Sequence, residues 1–282
     1  MKKILVPLDG SVLADRILEK VRPFLLREDA EVRLLRVLPE LGYDPGHEAR
    51  LAVDAAQSHL KACREGLSSQ GVTVTTAALV HGDPAAKILD YAGKYRPSMI
   101  AMSTHGRTGF KRWTRGSVAE RVLRHSPFPV LLWNSFHPRR TSTGPAIRTL
   151  LLPLDGSRHS AGILPLVREV ALAFRARVVL LHVTELYPAM GDVPMLQLPP
   201  TRAEILRRML PFRRLLKGVG VKIRTEMGAP AEAILEVARK EQADLIAMNT
   251  HGRSGLGRWA FGSVAEQVLR HCPYPLLARR ET

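Results

Sequence analysis

Cysteine is scarce in this sequence of 282 residues, which contains only Cys63 and Cys272. Two cysteines cannot form the disulfide framework of a small secreted protein, and no cluster of Cys and His has the spacing of a zinc-binding motif. We therefore expect the chain to reside in a reducing cytoplasm. We also expect no metal ion held by protein side chains.

Long apolar runs are missing as well. No segment approaches the roughly 18 uninterrupted apolar residues of a membrane-spanning helix, so no membrane partner is expected. Aromatic residues make up only 5% of the chain, but 45% of the residues are hydrophobic and 24% are charged. This composition is that of a globular protein and excludes disordered and fibrous classes. The length, about twice that of a common domain, predicts two domains.

The basic residues form no cluster along the chain. No run of Lys and Arg exceeds two residues, although the net charge is +16. That charge is divided equally, with +8 in residues 1–145 and +8 in residues 146–282. Because proteins that bind nucleic acids specifically concentrate their positive charge, this even spread favours a solvated surface. A basic nucleic-acid-binding protein is therefore the third-ranked interpretation.

Two copies of one domain account for most of the chain. The sequence Pro-Leu-Asp-Gly-Ser ends at Ser11 and again at Ser157, 146 residues later. Residues 103–132 and 249–278 have the same offset and are identical at 19 of 30 positions. A constant offset between such landmarks indicates a tandem duplication. We predict domains at residues 1–134 and 147–282, joined by a polar linker at 135–146 that contains Pro and Gly.

Each copy alternates short β-rich runs with helical patterns, which is typical of a parallel sheet with crossover helices. Several of the runs are continuously apolar, as expected for strands covered on both faces. We therefore predict two tandem, doubly wound α/β domains of Rossmann-like type, each with five parallel strands. The predicted strands are 4–7, 32–38, 72–79, 99–103 and 130–132, and 150–153, 178–183, 221–227, 245–249 and 276–278. The first predicted helices of the first copy cover 11–26 and 49–69.

Ligands of doubly wound sheets bind beyond the carboxyl ends of the strands, so the loops after the first and fourth strands carry the candidate site. Asp9-Gly10-Ser11 follows the first strand, and Asp155-Gly156-Ser157 repeats it. The Asp and Ser of these tripeptides could simply start a helix, because both residue types accept hydrogen bonds from free backbone amides. Alternatively, the Asp contacts the ribose or base of a nucleotide.

The loop after the fourth strand is rich in glycine and ends at a helix. Ser117-x-x-Glu120 and Ser263-x-x-Glu266 predict capping boxes at the start of that helix in each copy. Capping does not explain the glycines that precede it, which let backbone amides approach a ligand closely. A helix N-terminus with free amides offers an anion site, so the same atoms can serve as cap and phosphate site.

At these loops the sequence resembles the universal stress protein family, in its tandem two-domain form and its ATP-binding branch. The motif of that branch is Gly, two residues, Gly, nine residues, Gly, then Ser or Thr. Both copies match its later part, with Gly106, Gly116 and Ser117 and with Gly252, Gly262 and Ser263. Ser103 and Asn249 stand where the motif has its first glycine. The resemblance covers nearly the whole chain and implies a strand order of 3-2-1-4-5.

The resemblance also implies which residues hold an adenine nucleotide. Near the base and ribose it implies Asp9 and the backbone of Val37. Ser103 lies at the motif position where this sequence lacks the first glycine. At the phosphates it implies Gly106, Gly116, Ser117 and Val118. The implied residues of the second copy are Asp155, Val183, Asn249, Gly252, Gly262, Ser263 and Val264.

The sequence contains no P-loop and no recognisable general base, so we expect a ligand sensor or regulator with at most slow ATP hydrolysis. ATP or another adenine nucleotide is the expected ligand, with Mg²⁺ assisting through the phosphates and not through a protein cage. The regulatory protein partner is unidentified. The leading alternative is a universal-stress fold that has lost nucleotide binding and serves as an interaction scaffold.

The last predicted strand of each copy is short, apolar and preceded by Pro-x-Pro. Family members commonly dimerise through this strand, and an exposed apolar edge invites pairing. We therefore expect the two copies to pair within one chain as a pseudo-dimer, with homodimerisation as a further option. Small-angle scattering should show one compact particle, and two freely tumbling lobes would contradict this expectation.

Overall fold

The computed structural model describes residues 3–25, 30–38, 47–79, 82–104, 117–134, 146–185, 200–250 and 262–280. They divide into two compact units, one made of residues 1–139 with 278–280 and the other of residues 140–277. The second copy of the repeat, residues 146–280, is called the second unit. Each unit contributes five β-strands and has its own buried apolar core. The predicted linker at 135–146 lies outside the described residues apart from its last position.

The first unit has a five-stranded sheet among its described residues. Its strands are β1 Lys3–Pro7, β2 Glu31–Val37, β3 Thr73–Leu79, β4 Met99–Ser103 and β5 Val130–Trp133. They lie in the order β3-β2-β1-β4-β5, and all neighbours are parallel. Ile4 of β1 pairs with Val32 of β2 on one side and with Met99 of β4 on the other. The strand order implied by the family resemblance is therefore confirmed.

Helices connect these strands. The helices of the first unit are α1 Val12–Asp15, α2 Ile17–Leu25, α3 His47–Ser68, α4 Pro84–Tyr95 and α5 Val118–His125. The prediction of one helix over residues 11–26 is wrong, because the segment is divided at Arg16 into α1 and α2.

The second unit repeats this arrangement. Its strands are β6 Thr149–Pro153, β7 Arg177–Thr184, β8 Val221–Met227, β9 Leu245–Asn249 and β10 Leu276–Arg279. They follow the order β8-β7-β6-β9-β10. The helices are α6 Arg158–Ala161, α7 Leu164–Phe174, α8 Arg202–Leu215, α9 Pro230–Lys240 and α10 Ser263–His271. The α/β class predicted from the sequence is thus confirmed.

The first helical segment of the second unit is also divided, and here the sequence offers a cause. Pro165 stands in the first turn of α7. It has no amide hydrogen to donate to the carbonyl of Ala161, which ends α6. The ladder of helical hydrogen bonds is interrupted at that point, and a new helix begins.

The central strands are buried because helices cover both faces of each sheet. Ile4, Leu5 and Val6 of β1 have no exposed surface, and neither do Val178–Leu181 of β7. Such continuous burial is the physical reason why these strands are apolar at successive positions instead of alternate ones. Among the described residues, no helix is both long enough and apolar enough to cross a lipid bilayer.

Candidate functional site at the carboxyl ends of the strands

Strand order reverses between β1 and β4 in the first unit and between β6 and β9 in the second. The chain moves outward from β1 to β3, then crosses back to place β4 on the other side of β1. In sheets with this topology the connections on either side of the reversal run to opposite faces, so a ligand crevice is expected at the carboxyl ends of β1 and β4 and of β6 and β9. Asp9 and Asp155 follow one strand of each pair, and Ser103 and Asn249 end the other.

Asp9 shapes the loop that follows β1. Its Oδ1 accepts hydrogen bonds from Ser11 N at 2.9 Å and from Ser11 Oγ at 2.7 Å. Ser11 Oγ in turn accepts from Ala14 N at 3.1 Å and caps α1. Gly10 between them has a φ of +80°, which strongly favours glycine. The helix-starting role considered for Asp9 is therefore present in the structure.

Asp155 repeats the same turn in the second unit. Its Oδ1 accepts from Ser157 N at 2.9 Å, and Ser157 Oγ accepts from Ser160 N at 3.0 Å. Gly156 has a φ of +85°. Both aspartates are half-buried at the carboxyl ends of their strands. A local capping role and contact with a ligand are compatible at this position.

A buried polar side chain lies beside each of these turns, and neither is among the site residues predicted from the sequence. Arg36, near the end of β2, is only 5% exposed, and a Cβ atom at Gly10 would overlap its guanidinium group. His182 occupies the corresponding place in β7, where its Nδ1 lies 2.9 Å from the carbonyl oxygen of Leu154. The sequence does contain a signal, because Arg36 and His182 each follow a Leu-Leu pair near the end of the second strand of their copy, at positions 146 apart.

Val37 and Val183 lie one residue after those polar side chains. Val37 is the last residue of β2, and Val183 is the penultimate residue of β7. Both side chains are half-buried. In the first unit the backbone of Val37 therefore lies at the carboxyl ends of the strands, as Asp9 does. In the second unit the backbone of Val183 lies at the carboxyl ends of the strands, as Asp155 does.

The start of α5 carries Ser117 and Val118. Ser117 is the N-cap, and its Oγ accepts a hydrogen bond from Glu120 N at 3.2 Å. The carboxylate of Glu120 contacts the guanidinium of Arg124 one turn further along the helix. The predicted serine cap is therefore confirmed in the first unit. Gly106 and Gly116 lie outside the described residues.

The start of α10 differs from the prediction. Gly262, not Ser263, is the N-cap, and no side chain caps this helix. Ser263 is the first helical residue, so the predicted capping box Ser263-x-x-Glu266 is wrong. The physical consequence is that the first-turn amides, including those of Ser263 and Val264, have no side-chain cap. Gly252 lies outside the described residues.

Hydrogen bonds join the pieces of the candidate site in the second unit. Gly262 N donates to Thr250 O at 2.9 Å, which holds the start of α10 against the end of β9. Asn249, one residue earlier, donates its side-chain amide to the carbonyl of His159 in α6. The carboxyl end of β9, the first helix after β6 and the N-terminus of α10 are therefore assembled at one place.

Ser103 and Asn249, which replace the first glycine of the motif, are both buried, at 8% and 6% exposure. The amide group of Asn249 is directed at α6 and fixes that helix to β9. Asn249 thus has a structural role within its own unit.

An ion pair links the starts of two helices in the first unit. Asp83 caps α4 by accepting from Ala86 N at 2.9 Å, and Arg121 of α5 donates to both of its carboxylate oxygens at 2.6 and 2.7 Å. The hydrogen bonds from Arg121 and then from the helix amides lower the pKa of Asp83 below its ordinary value. The second unit has Ala229 at this N-cap and no side-chain cap.

We expect Asp83→Ala to destabilise the first unit by about 1–2 kcal/mol, because it removes the cap and the ion pair together. Because the folded-state pKa is lowered, this contribution is present at neutral pH and is lost as the pH falls through that value. Urea denaturation at pH 7 measures the effect. Ala229→Asp is the converse change and should stabilise the second unit by about 0.5–1 kcal/mol. Equal stability of all three proteins would contradict both expectations.

Comparison with known proteins assigns both copies of the repeat to one protein family. A sequence model of the universal stress protein family matches residues 1–133 and again residues 146–280. A universal stress protein of Methanocaldococcus jannaschii is 36% identical over 135 residues, which is 45% of this chain and 79% of the relative. One from Mycolicibacterium smegmatis is 25% identical over 298 residues and covers 98% of this chain and 96% of its own length.

Solved structures resemble the fold over its whole length. The crystal structure of a universal stress protein from Archaeoglobus fulgidus has a TM-score of 0.77 at 23% identity and covers 99% of this chain and 96% of its own. One from Pseudomonas aeruginosa has a TM-score of 0.69 at 18% identity, with coverage of 99% and 93%. With two family matches that together span almost all of the sequence, the chain belongs to the universal stress protein family.

Proposed function

We propose that each unit binds an adenine nucleotide, with ATP as the first candidate, in the crevice at the carboxyl ends of its strands. The protein would act in the cytoplasm as a nucleotide-dependent sensor or regulator of a stress response. The regulated partner is a protein that the sequence does not identify.

The observation that carries this proposal is the assembly at the start of α10. The hydrogen bond from Gly262 N to Thr250 O brings a helix N-terminus without a side-chain cap to the end of β9. First-turn amides and the positive end of the helix dipole stabilise a phosphate group at such a place. In the first unit, Ser117 and Val118 start the corresponding helix, with the Ser117 hydroxyl bonded to Glu120 N.

The remaining proposed contacts lie along the same edge. Asp9 and Asp155 would face the ribose or base, together with the backbone of Val37 and Val183. The two sites would differ in their polar side chains, since Arg36 lies beside one turn and His182 beside the other. Ser103 and Asn249 give each site a side chain where the motif has glycine, which predicts unequal affinities.

Magnesium fits this site only as part of the bound nucleotide. Each Asp turn supplies one carboxylate, whose Oδ1 is already hydrogen-bonded to the backbone. Mg²⁺ is usually held by one or two carboxylates together with substrate phosphates. We therefore propose Mg²⁺ bound through the phosphates, with no Mg²⁺ held at the nucleotide site by protein side chains alone.

Titration calorimetry of the full chain with ATP, ADP and AMP, each with and without Mg²⁺, tests the proposal. Two sites per chain are expected, and mass spectrometry of ligand released from gently purified protein should identify an adenine nucleotide. Absence of binding by all three would favour the scaffold function. Sequence-selective nucleic-acid binding that survives physiological salt would favour the third interpretation, since nonspecific binding falls steeply with salt.

A further inference from the structure

A cluster of three metal-ligating side chains lies in the first unit, outside the nucleotide crevice. Asp15 ends the short helix α1, and His59 and Cys63 lie one turn apart on α3. His59 Nε2 lies 2.9 Å from Asp15 Oδ2 and 3.6 Å from Cys63 Sγ. The three ligand atoms all lie within 4.8 Å of one another. Two separate helices therefore direct three different donor types at one point.

The geometry does not suit a proton relay of the Cys-His-Asp type. In such a relay the carboxylate and the thiol contact opposite nitrogens of the imidazole ring. Here the carboxylate and the thiol both lie against Nε2. The other nitrogen, Nδ1, is buried and has no hydrogen-bond partner among the described residues. Convergence of three ligand atoms on one side of the ring is instead what a metal ion requires.

The spacing and the chemistry favour an ion of the zinc class. Tetrahedral Zn²⁺ bound at about 2.1 Å by nitrogen and about 2.3 Å by sulfur holds those two ligands roughly 3.6 Å apart. The distance from His59 Nε2 to Cys63 Sγ already has this value. Sulfur and imidazole ligands select Zn²⁺ and similar transition metals over Mg²⁺ and Ca²⁺, which prefer oxygen.

We propose that Asp15, His59 and Cys63 bind one zinc-class divalent ion per chain, with water or an external ligand in the fourth position. The side chains of His59 and Asp15 are 21% and 30% exposed, which leaves an approach from solvent for the ion and for that fourth ligand. The ion would join α1, the helix that follows the Asp9 turn, to the long helix α3.

The electrostatics of the metal-free cluster are compatible with this proposal. Burial and then the charge of Asp15 raise the pKa of the Cys63 thiol to about 11. The thiol is therefore protonated at neutral pH without metal, and a bound ion would displace that proton. Asp15 and His59 form an ion pair when the imidazole is protonated, so the ion would also replace this contact.

The second unit offers an internal comparison. Asp15 corresponds to Ala161 by the offset of 146 residues. When the buried residues Ala56 and Leu60 of α3 are aligned with Ile205 and Met209 of α8, the other two ligand positions carry Arg208 and Phe212. None of these three replacements is a zinc ligand. The expected stoichiometry is therefore one ion per chain, not one per unit.

The test is titration of the full, nucleotide-free chain with Zn²⁺, and with Co²⁺ as a spectroscopic probe. We expect one Zn²⁺ per chain, a thiolate-to-cobalt charge-transfer band and a rise in thermal stability on addition of Zn²⁺. Cys63→Ser should remove the charge-transfer band and weaken Zn²⁺ binding at least about tenfold. His59→Ala should weaken it similarly.

Cys272→Ser is the matched control, because the first unit has Ser126 at the corresponding position. Ser126 Oγ donates to Phe128 O at 2.8 Å, and Cys272 Sγ donates to Tyr274 O at 3.4 Å, so serine can make the same contact. This variant should keep the Zn²⁺ affinity and the cobalt band. The proposal is overturned if the wild type binds no ion, if Cys63→Ser and His59→Ala bind as the wild type does, or if Cys272→Ser loses the band. Circular dichroism confirms that each variant is folded.

Discussion

Gly262→Val is expected to weaken nucleotide binding in the second unit severely and to leave the first site intact. Gly262 has φ −59°, an ordinary value for any residue, so valine introduces no backbone strain there. The branched side chain would instead occupy the space in front of the first-turn amides of α10. We expect affinity at this site to fall at least about a hundredfold, which corresponds to about 2.7 kcal/mol.

Titration calorimetry should show the stoichiometry dropping from two nucleotides per chain to one. Folding should change much less, because replacing glycine by valine at an N-cap costs about 1 kcal/mol or less. Gly262→Ala, with a smaller side chain, should give an intermediate loss of affinity. Gly116→Val is the counterpart in the first unit. If both valine variants bind two nucleotides as the wild type does, the phosphate site lies elsewhere.

Glu241→Gln is expected to produce the largest loss of stability in the second unit. Glu241 is the C-cap of α9, and its side chain is only 5% exposed. Lys222 Nζ lies 2.8 Å from its carboxylate, and Arg224 Nε lies at 2.9 Å. Arg177 Nη2 is a third cation, at 3.6 Å. The glutamine variant would leave three positive charges around a neutral group.

Removal of one partner from a buried ion pair commonly costs about 3–5 kcal/mol. These three cations are partly exposed and can regain water, so we expect about 2 kcal/mol. Burial raises the pKa of Glu241, but the hydrogen bond from Lys222 and the charges of Lys222 and the two arginines outweigh it and leave the pKa below its ordinary value. The stabilisation is therefore present at neutral pH and is lost as the pH falls through that lowered value.

Chemical denaturation at pH 7 and at about pH 3 measures both parts of this prediction, because the difference between wild type and variant should shrink in acid. Glu236→Gln is the control on the same helix. Arg239, by its hydrogen bond and then its charge, together with Lys240, lowers the pKa of Glu236 to about 2, but this ion pair is exposed. Its loss should leave the denaturation midpoint almost unchanged. A Glu241→Gln variant as stable as the control would contradict the prediction.

The sheets could be predicted from the sequence because their physical cause is local. Strands covered on both faces are apolar at successive positions, and Val178–Leu181 show this pattern directly. The predicted and observed strands agree to within one residue at every end. The constant offset of 146 residues then carried each landmark of one copy onto the other.

The local sequence pattern predicted less accurately the residue at which a helix begins or is interrupted. Ser117 caps α5, but the matching Ser263 lies inside α10, because the backbone at Gly262 is held by Thr250 O and starts the helix one residue earlier. The division of residues 11–26 into α1 and α2 was not predicted either, because nothing in the periodicity of that segment indicates it.

By itself, the sequence determined the duplication and the α/β class and predicted which loops carry the candidate site, since each depends on residues close together in the chain. Only the tertiary structure placed Arg36 and His182 beside the Asp turns and assembled Asp15, His59 and Cys63. Asp15 is separated from His59 by 44 residues and lies on another helix. No spacing rule connects them, because their distance in space is decided by how α1 and α3 pack in the folded unit.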